Sequence, residues 1–194
     1  MEQILFINVI LLWVSVLFNL VLVLAVNRRV NNPSNRKSDF LKMGQPAPSF
    51  SAETMHGDTV TLDTYVGGRT TGFVFVSPSC QPCHEEIPIL EGLGPNAQRS
   101  GVDLVLVSTV EKSETQSMVD SLGIHLPVLV APRGINPFME DYKVGGTPFY
   151  CLVDAAGKVQ GTGFLDQDWR RMTASWGKHV GEPSQAAVST ASTA

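Results

Sequence analysis

Cys80-Gln81-Pro82-Cys83 stands directly after the apolar run Gly72–Val76 and ahead of a stretch with helical character. A strand that ends at a pair of thiols in the first turn of a helix leaves few architectures open. A bare C-x-x-C serves equally as half of a zinc site, but the strand–turn–helix setting reads as a thiol–disulfide exchange centre. Structural zinc takes four ligands in a closed site. Only Cys151 and four histidines remain, and none has ligand spacing, although His84 adjoins Cys83. The reading therefore calls for no metal and no cofactor. Exchange needs a thiolate, and a helix N-terminus supplies unpaired N–H groups and a partial positive charge. Cys80 is at that end and is the expected nucleophile. Cys83 lies one turn further on the same face and is the expected resolving thiol. Pro82 fits a first turn, where its missing N–H has no partner anyway. Pro88 lies deeper, where it is expected to kink the helix.

The N-terminus is a different material. Every residue from Ile4 to Val26 is uncharged, and only Asn8, Ser15 and Asn19 interrupt the apolar character. As a helix this run spans roughly 34 Å, enough for a bilayer core of about 30 Å. The start is Met1-Glu2-Gln3 rather than basic, and no small-residue cleavage site follows. Residues 4–26 therefore read as an uncleaved transmembrane anchor rather than a signal peptide. Arg28, Arg29, Arg36 and Lys37 follow it, and the positive-inside tendency then places the rest of the chain in the cytoplasm.

Residues 27–43 are polar and read as a linker, 44–179 as one α/β domain, and 180–194, rich in Ser, Thr and Ala, as a disordered tail. Thr59–Leu62 alternates like a half-buried strand, while Phe73–Val76 and Val102–Val107 suit central strands covered on both faces. Leu126–Val130 is a further strand. Phe149–Val153 and Val159–Phe164 form a hairpin around Ala155–Lys158. Helices are expected over Ser113–Leu122, with Ser113 as N-cap, over Ile135–Tyr142, and over Asp166–Lys178. The order predicts a mixed sheet sandwiched between helices. A net charge of −4 and the lack of any Lys/Arg run exclude nucleic-acid binding as a leading function. Three cysteines are too few for a disulfide framework. Cys151, within a strand, reads as a core residue.

Gly44-Gln45-Pro46-Ala47-Pro48-Ser49-Phe50, the C-Q-P-C turn with Pro88, and Gly145-Gly146-Thr147-Pro148-Phe149-Tyr150 together resemble the membrane-anchored thioredoxin-like proteins of bacteria, the TlpA/ResA type. With the anchor, Phe75-Val76-Ser77-Pro78-Ser79-Cys80 is most similar to the methylamine-utilisation MauD branch. The resemblance implies a thioredoxin-like fold, with Cys80 as nucleophile, Cys83 as resolving thiol, and Pro148 cis beside them. It implies that Thr147 offers backbone hydrogen bonds to a bound partner chain. It also implies that Glu86 tunes the thiols; the alternative for Glu86 is a solvated helix charge. Partners would be protein thiols and disulfides. The resemblance places the soluble domain outside the cytoplasm, against the charge count, with a role in the maturation of an extracytoplasmic protein. Ser79 departs from the family, which commonly has an aromatic residue there.

Two other functions fit a cysteine pair. A peroxiredoxin-like peroxidase wants P-x-x-x-T-x-x-C, but Phe73 and Ser77 occupy the Pro and Thr places. A non-catalytic metal-delivery or assembly protein would use Cys80, Cys83 and His84.

Overall fold

The computed structural model describes residues 2–30 and 40–176. The expected tail, most of the linker and residues 177–178 of the last expected helix lie outside these residues; within them that helix, expected over Asp166–Lys178, runs only from Gln167 to Thr173. The chain divides into two compact units, Met1–Asp39 and Phe40–Ala194. The described residues of the first form one helix, α1 (Glu2–Val30). Its stretch Phe6–Leu24 is long and apolar enough to cross a membrane. Asn19 donates its side-chain amide to the Ser15 carbonyl at 3.0 Å. That bond gives a polar group within an apolar run a partner inside its own helix.

The second unit is built on a seven-stranded sheet in the order β2-β1-β5-β4-β3-β6-β7. The strands are β1 (Ser51–Thr54), β2 (Thr59–Thr61), β3 (Thr70–Val76), β4 (Val102–Ser108), β5 (Val128–Val130), β6 (Phe149–Val153) and β7 (Val159–Phe164). The helices are α2 (Gln81–Arg99), α3 (Lys112–Leu122), α4 (Phe138–Asp141) and α5 (Gln167–Thr173). β3, β4 and β5 run parallel, and the flanking strands pair antiparallel. The fold is thioredoxin-like: a mixed sheet flanked by helices.

The period of two in a strand divides the core into two layers. Phe73 and Phe75 of β3 face a cluster with Phe50, Phe138, Tyr142, Phe149 and Cys151. Val74 and Val76 face the opposite cluster, with Ile87 and Leu90 of α2, Met118 of α3 and Trp169 of α5. Gly72 is a close-approach position: a Cβ there would sit 2.9 Å from Leu104 Cδ2 and 3.1 Å from Leu152 Cδ2. The two leucines fill the space that a side chain on this central strand would need.

Several boundaries differ from expectation. β1 pairs with both β2 and β5, although Ser51–Thr54 carries no apolar run. β5 begins at Val128 rather than Leu126, because Glu91 Oε1 accepts the backbone N–H groups of His125 and Leu126 at 2.9 and 2.8 Å. Glu111, not Ser113, is the N-cap of α3, and it makes no side-chain capping bond. The helix expected over Ile135–Tyr142 shortens to α4, because Asn136 Oδ1 accepts the Phe138 N–H while its amide ties back to the Ser51 carbonyl. Pro137 occupies the N-cap there. At the start of α5 Asp166 caps the N–H groups of Asp168 and Trp169. α2 continues through both Pro88 and Pro95.

α4 ends with the Val144 N–H donating to the Met139 carbonyl at 2.9 Å, which throws Lys143 to φ 53°. A left-handed residue with a Cβ costs about 1–2 kcal/mol, and glycine at such a helix end avoids that cost. Allowing for the larger backbone entropy that glycine loses, Lys143→Gly is expected to raise stability by about 0.5–1 kcal/mol. Urea unfolding of the full chain should show a higher midpoint at unchanged slope; an equal or lower midpoint would refute strain at this residue.

Candidate active site

β3 ends at Val76, and Ser77 to Cys80 then form a tight turn closed by the Cys80 N–H on the Ser77 carbonyl at 3.1 Å. Pro78 takes the second position, where its fixed φ is favourable. Among the described residues only Lys143 and glycines have positive φ. Ser79 therefore has negative φ, and the turn is not of type II. The Ser77 and Ser79 hydroxyls lie 3.0 Å apart. His84 closes the arrangement from α2: its Nε2 is 2.6 Å from the Pro78 carbonyl oxygen. A carbonyl only accepts, so Nε2 carries the proton.

Cys80 is the N-cap of α2, with extended backbone (φ −92°, ψ 102°). Its Sγ accepts the Cys83 N–H at 3.2 Å, a donor that the Cys80 carbonyl oxygen shares at 3.0 Å in the first turn of the helix. Cys80 and Cys83 are joined in a disulfide, with Cα atoms 5.2 Å apart. The two sulfurs are not equivalent. Cys83 is fully buried among the α2 side of the core, while Cys80 is partly exposed beside exposed Ser79, Gln81 and Pro82.

Residues far away in sequence reach this turn through strand register. β6 runs antiparallel to β3 with Phe149 opposite Phe75, so Pro148 arrives beside the end of β3. The Thr147–Pro148 bond is cis. The Thr147 carbonyl oxygen lies 3.4 Å from Cys80 Sγ. Pro148 is buried and Thr147 half-buried. The structure thus brings together Cys80, Cys83, Thr147 and Pro148.

Glu86, one turn past Cys83, is not a solvated charge. Its side chain is only 12% exposed, and it pairs at 2.5 Å with Arg170 of α5. Arg170 escaped the sequence reading: it is 84 residues away, and no local pattern links the two. His84 was noticed only as a neighbour of Cys83 and a potential ligand; its donor points instead to Pro78. Among the described residues, no group of three or more His, Cys, Asp or Glu is placed to hold a metal ion.

A cavity of about 760 Å³ lies at the other end of β3 and β4, lined by Arg69, Thr71, Glu91, Gln98, Asp103 and His125. The disulfide lines none of it. Cys80 instead opens onto outer surface, which suits a macromolecular partner better than an engulfed small molecule.

The model of the AhpC/TSA family matches residues 43–162. The chain belongs to the AhpC/TSA family. MauD, the methylamine utilization protein of Paracoccus denitrificans, is 28% identical over 168 residues, 81% of this chain and 80% of its own. The thiol-disulfide oxidoreductase ResA of Geobacillus thermodenitrificans is 28% identical over 119 residues, 61% of this chain and 67% of its own. A crystal structure of the thioredoxin domain of a thiol-disulfide oxidoreductase from Bacteroides vulgatus superposes with a TM-score of 0.61 at 20% identity, covering 69% of this chain and 96% of that one. Within the AhpC/TSA family this chain is a thioredoxin-like thiol–disulfide oxidoreductase of the ResA/MauD type.

Cys151 stands apart from this chemistry. It is fully buried in β6, and burial pushes its thiol from 9.0 up to about 12. Above pH 9 the unfolded chain ionises this thiol while the folded chain does not, so the folded state binds more protons and loses stability as pH rises. The loss is absent below pH 9 and complete near pH 12. Cys151→Ala should flatten the fall in stability between pH 9 and 12 relative to the unaltered protein, measured by urea unfolding across that range. An unchanged slope would show that this thiol is open to solvent.

Proposed function

We propose that this oxidoreductase is a single-pass membrane protein that exchanges disulfides with extracytoplasmic protein partners, with Cys80 as the attacking and Cys83 as the resolving thiol. The single observation that carries the assignment is the asymmetry of the pair. Cys80 is partly exposed and its Sγ accepts a backbone N–H at the N-terminus of α2, whereas Cys83 is fully buried. Another molecule's sulfur reaches the first and not the second.

The reduced form would act as follows. The Cys80 thiolate attacks one sulfur of a partner disulfide. The partner S–S bond breaks, a mixed disulfide forms, and the departing partner thiolate takes a proton from water. Cys83 then gives up its proton and attacks Cys80 Sγ, releasing the second partner thiol. Two electrons pass to the partner, and the Cys80–Cys83 disulfide of this structure results. Run backwards, the same steps oxidise a partner dithiol. Thr147 would pair its backbone with the partner chain beside the sulfur, with buried Pro148 forming the wall behind it. Glu86, held by Arg170, would adjust the thiols from the second turn of α2.

Residues 4–26 would serve as anchor, 27–43 as tether and 44–179 as the exchange domain. The length and apolar character of Phe6–Leu24 support the anchor. Maturation of an extracytoplasmic protein is the role that suits an exchange domain held at that surface.

Cys80→Ser should abolish exchange with a disulfide-containing protein substrate, and Cys83→Ser should accumulate a mixed disulfide through Cys80, visible by mass. An undiminished rate in Cys80→Ser would refute the assignment. The full chain should stay with membranes through carbonate extraction and become soluble when residues 1–30 are removed. A C-terminal reporter active only outside the cytoplasm should be active; a silent reporter on a well-expressed fusion would reverse the orientation.

A further inference from the structure

The turn that presents Cys80 contains one peptide group able to flip. Types I and II of a four-residue turn differ by rotation of the peptide between the second and third residues, here Pro78–Ser79. That rotation changes ψ of Pro78 and φ of Ser79 in compensating senses, so it turns over the carbonyl and N–H beside Cys80 while the path of the chain is kept. The bond closing the turn, from the Cys80 N–H to the Ser77 carbonyl, uses neither polar group of this peptide. The disulfide holds Cys80 from the other side through Cys83. Once it is reduced, that hold disappears, just when the geometry of the Cys80 sulfur matters most.

We infer that His84 is a positioning residue: by donating from Nε2 to the Pro78 carbonyl it locks the Pro78–Ser79 peptide and keeps the Cys80 thiolate over the N-terminus of α2 when the disulfide is open. The donor–acceptor distance is 2.6 Å, short for a bond of this kind. His84 is itself tied to the turn, its backbone N–H lying 3.4 Å from the Cys80 carbonyl oxygen. The ring therefore clips the first turn of α2 back onto the residue two places before the nucleophile. The lock resists the flip in two ways. Flipping removes the acceptor from the imidazole, and it demands positive φ at Ser79, which a residue with a Cβ disfavours. The serine hydroxyl pair at 3.0 Å adds a third tie within the same turn. Because the disulfide already fixes Cys80 in the oxidised protein, the clip favours the dithiol state more than the disulfide. Stabilising the reduced state makes a pair more oxidising.

This inference rests on Cys80 being the attacking thiol. It is tested in the full-length protein with His84→Gln, which keeps a donor at nearly the same reach, and with His84→Phe, which keeps a ring and has no donor. With Phe, the Cys80 thiolate titration should move to higher pH, the reduction potential should become more negative, and exchange at neutral pH should slow several-fold. With Gln all three should return towards the unaltered values. Failure of Gln to restore them would mean that the imidazole acts by charge rather than by its hydrogen bond, and the inference fails. An unaltered titration in His84→Phe also overturns it. A reading free of mutants is the nitrogen NMR spectrum of His84, which should show the Nε2–H tautomer in both redox states; the Nδ1–H tautomer would contradict the clip. Exchange surviving in Cys80→Ser would instead remove the underlying reading, so the two failures are distinguishable.

Discussion

The N-terminus of α2 meets the sulfur of Cys80, and the remainder of the site is arranged around that contact. A helix start leaves N–H groups without partners. In most helices a hydroxyl or carboxylate side chain accepts from one of them; here a sulfur does, accepting the Cys83 N–H at 3.2 Å while the Cys80 carbonyl shares that donor at 3.0 Å. The interaction strengthens when the sulfur becomes an anion, since both the N–H and the helix dipole favour negative charge there. The same few atoms thus cap a helix in the disulfide state and favour a thiolate at Cys80 in the dithiol state.

Three separate parts of the fold converge on this contact. β3, buried on both faces from Thr71 to Val76, is a rigid support for the turn. β6 is locked to β3 by a five-pair antiparallel register, which delivers Thr147 and Pro148 to the sulfur without any flexible segment having to find it. The third part is α2 itself, whose Ile87 and Leu90 are buried against the sheet, so the helix start cannot drift from the strand end. Phe40 adds support from outside: its ring packs edge-on against Phe149, the residue after Pro148, at a centroid distance of 5.1 Å. Burial of Cys83 and partial exposure of Cys80 follow from where the helix begins, and the proposed division into resolving and attacking thiols rests on that difference.

Much of this was legible in the chain, for identifiable reasons. Phe73–Val76 and Val102–Val107 are continuous apolar runs because β3 and β4 are covered on both faces, and such strands announce themselves. The cysteine pair was legible because strand, turn and helix start are contiguous. β1 was not: Ser51–Thr54 is held by backbone pairing to β2 and β5, which composition does not reveal. α4 came out shorter than the apolar pattern because Asn136 spends its side chain on capping and on Ser51. Within the site, contacts across large separations stayed hidden. Arg170 meets Glu86 only because α5 packs on the same sheet face as α2. His84 was visible as a residue, but the direction of its Nε2–H depends on how the Pro78 turn folds back over the helix.

The most direct test of this arrangement is the pH dependence of alkylation in the fully reduced, full-length protein, with each cysteine followed separately by mass. The account predicts that Cys80 reacts first, with a midpoint below the value of about 8.5 for a free cysteine, and that Cys83 and Cys151 lag behind. Prior labelling of Cys83, or a Cys80 midpoint at or above the free-thiol value, would contradict it.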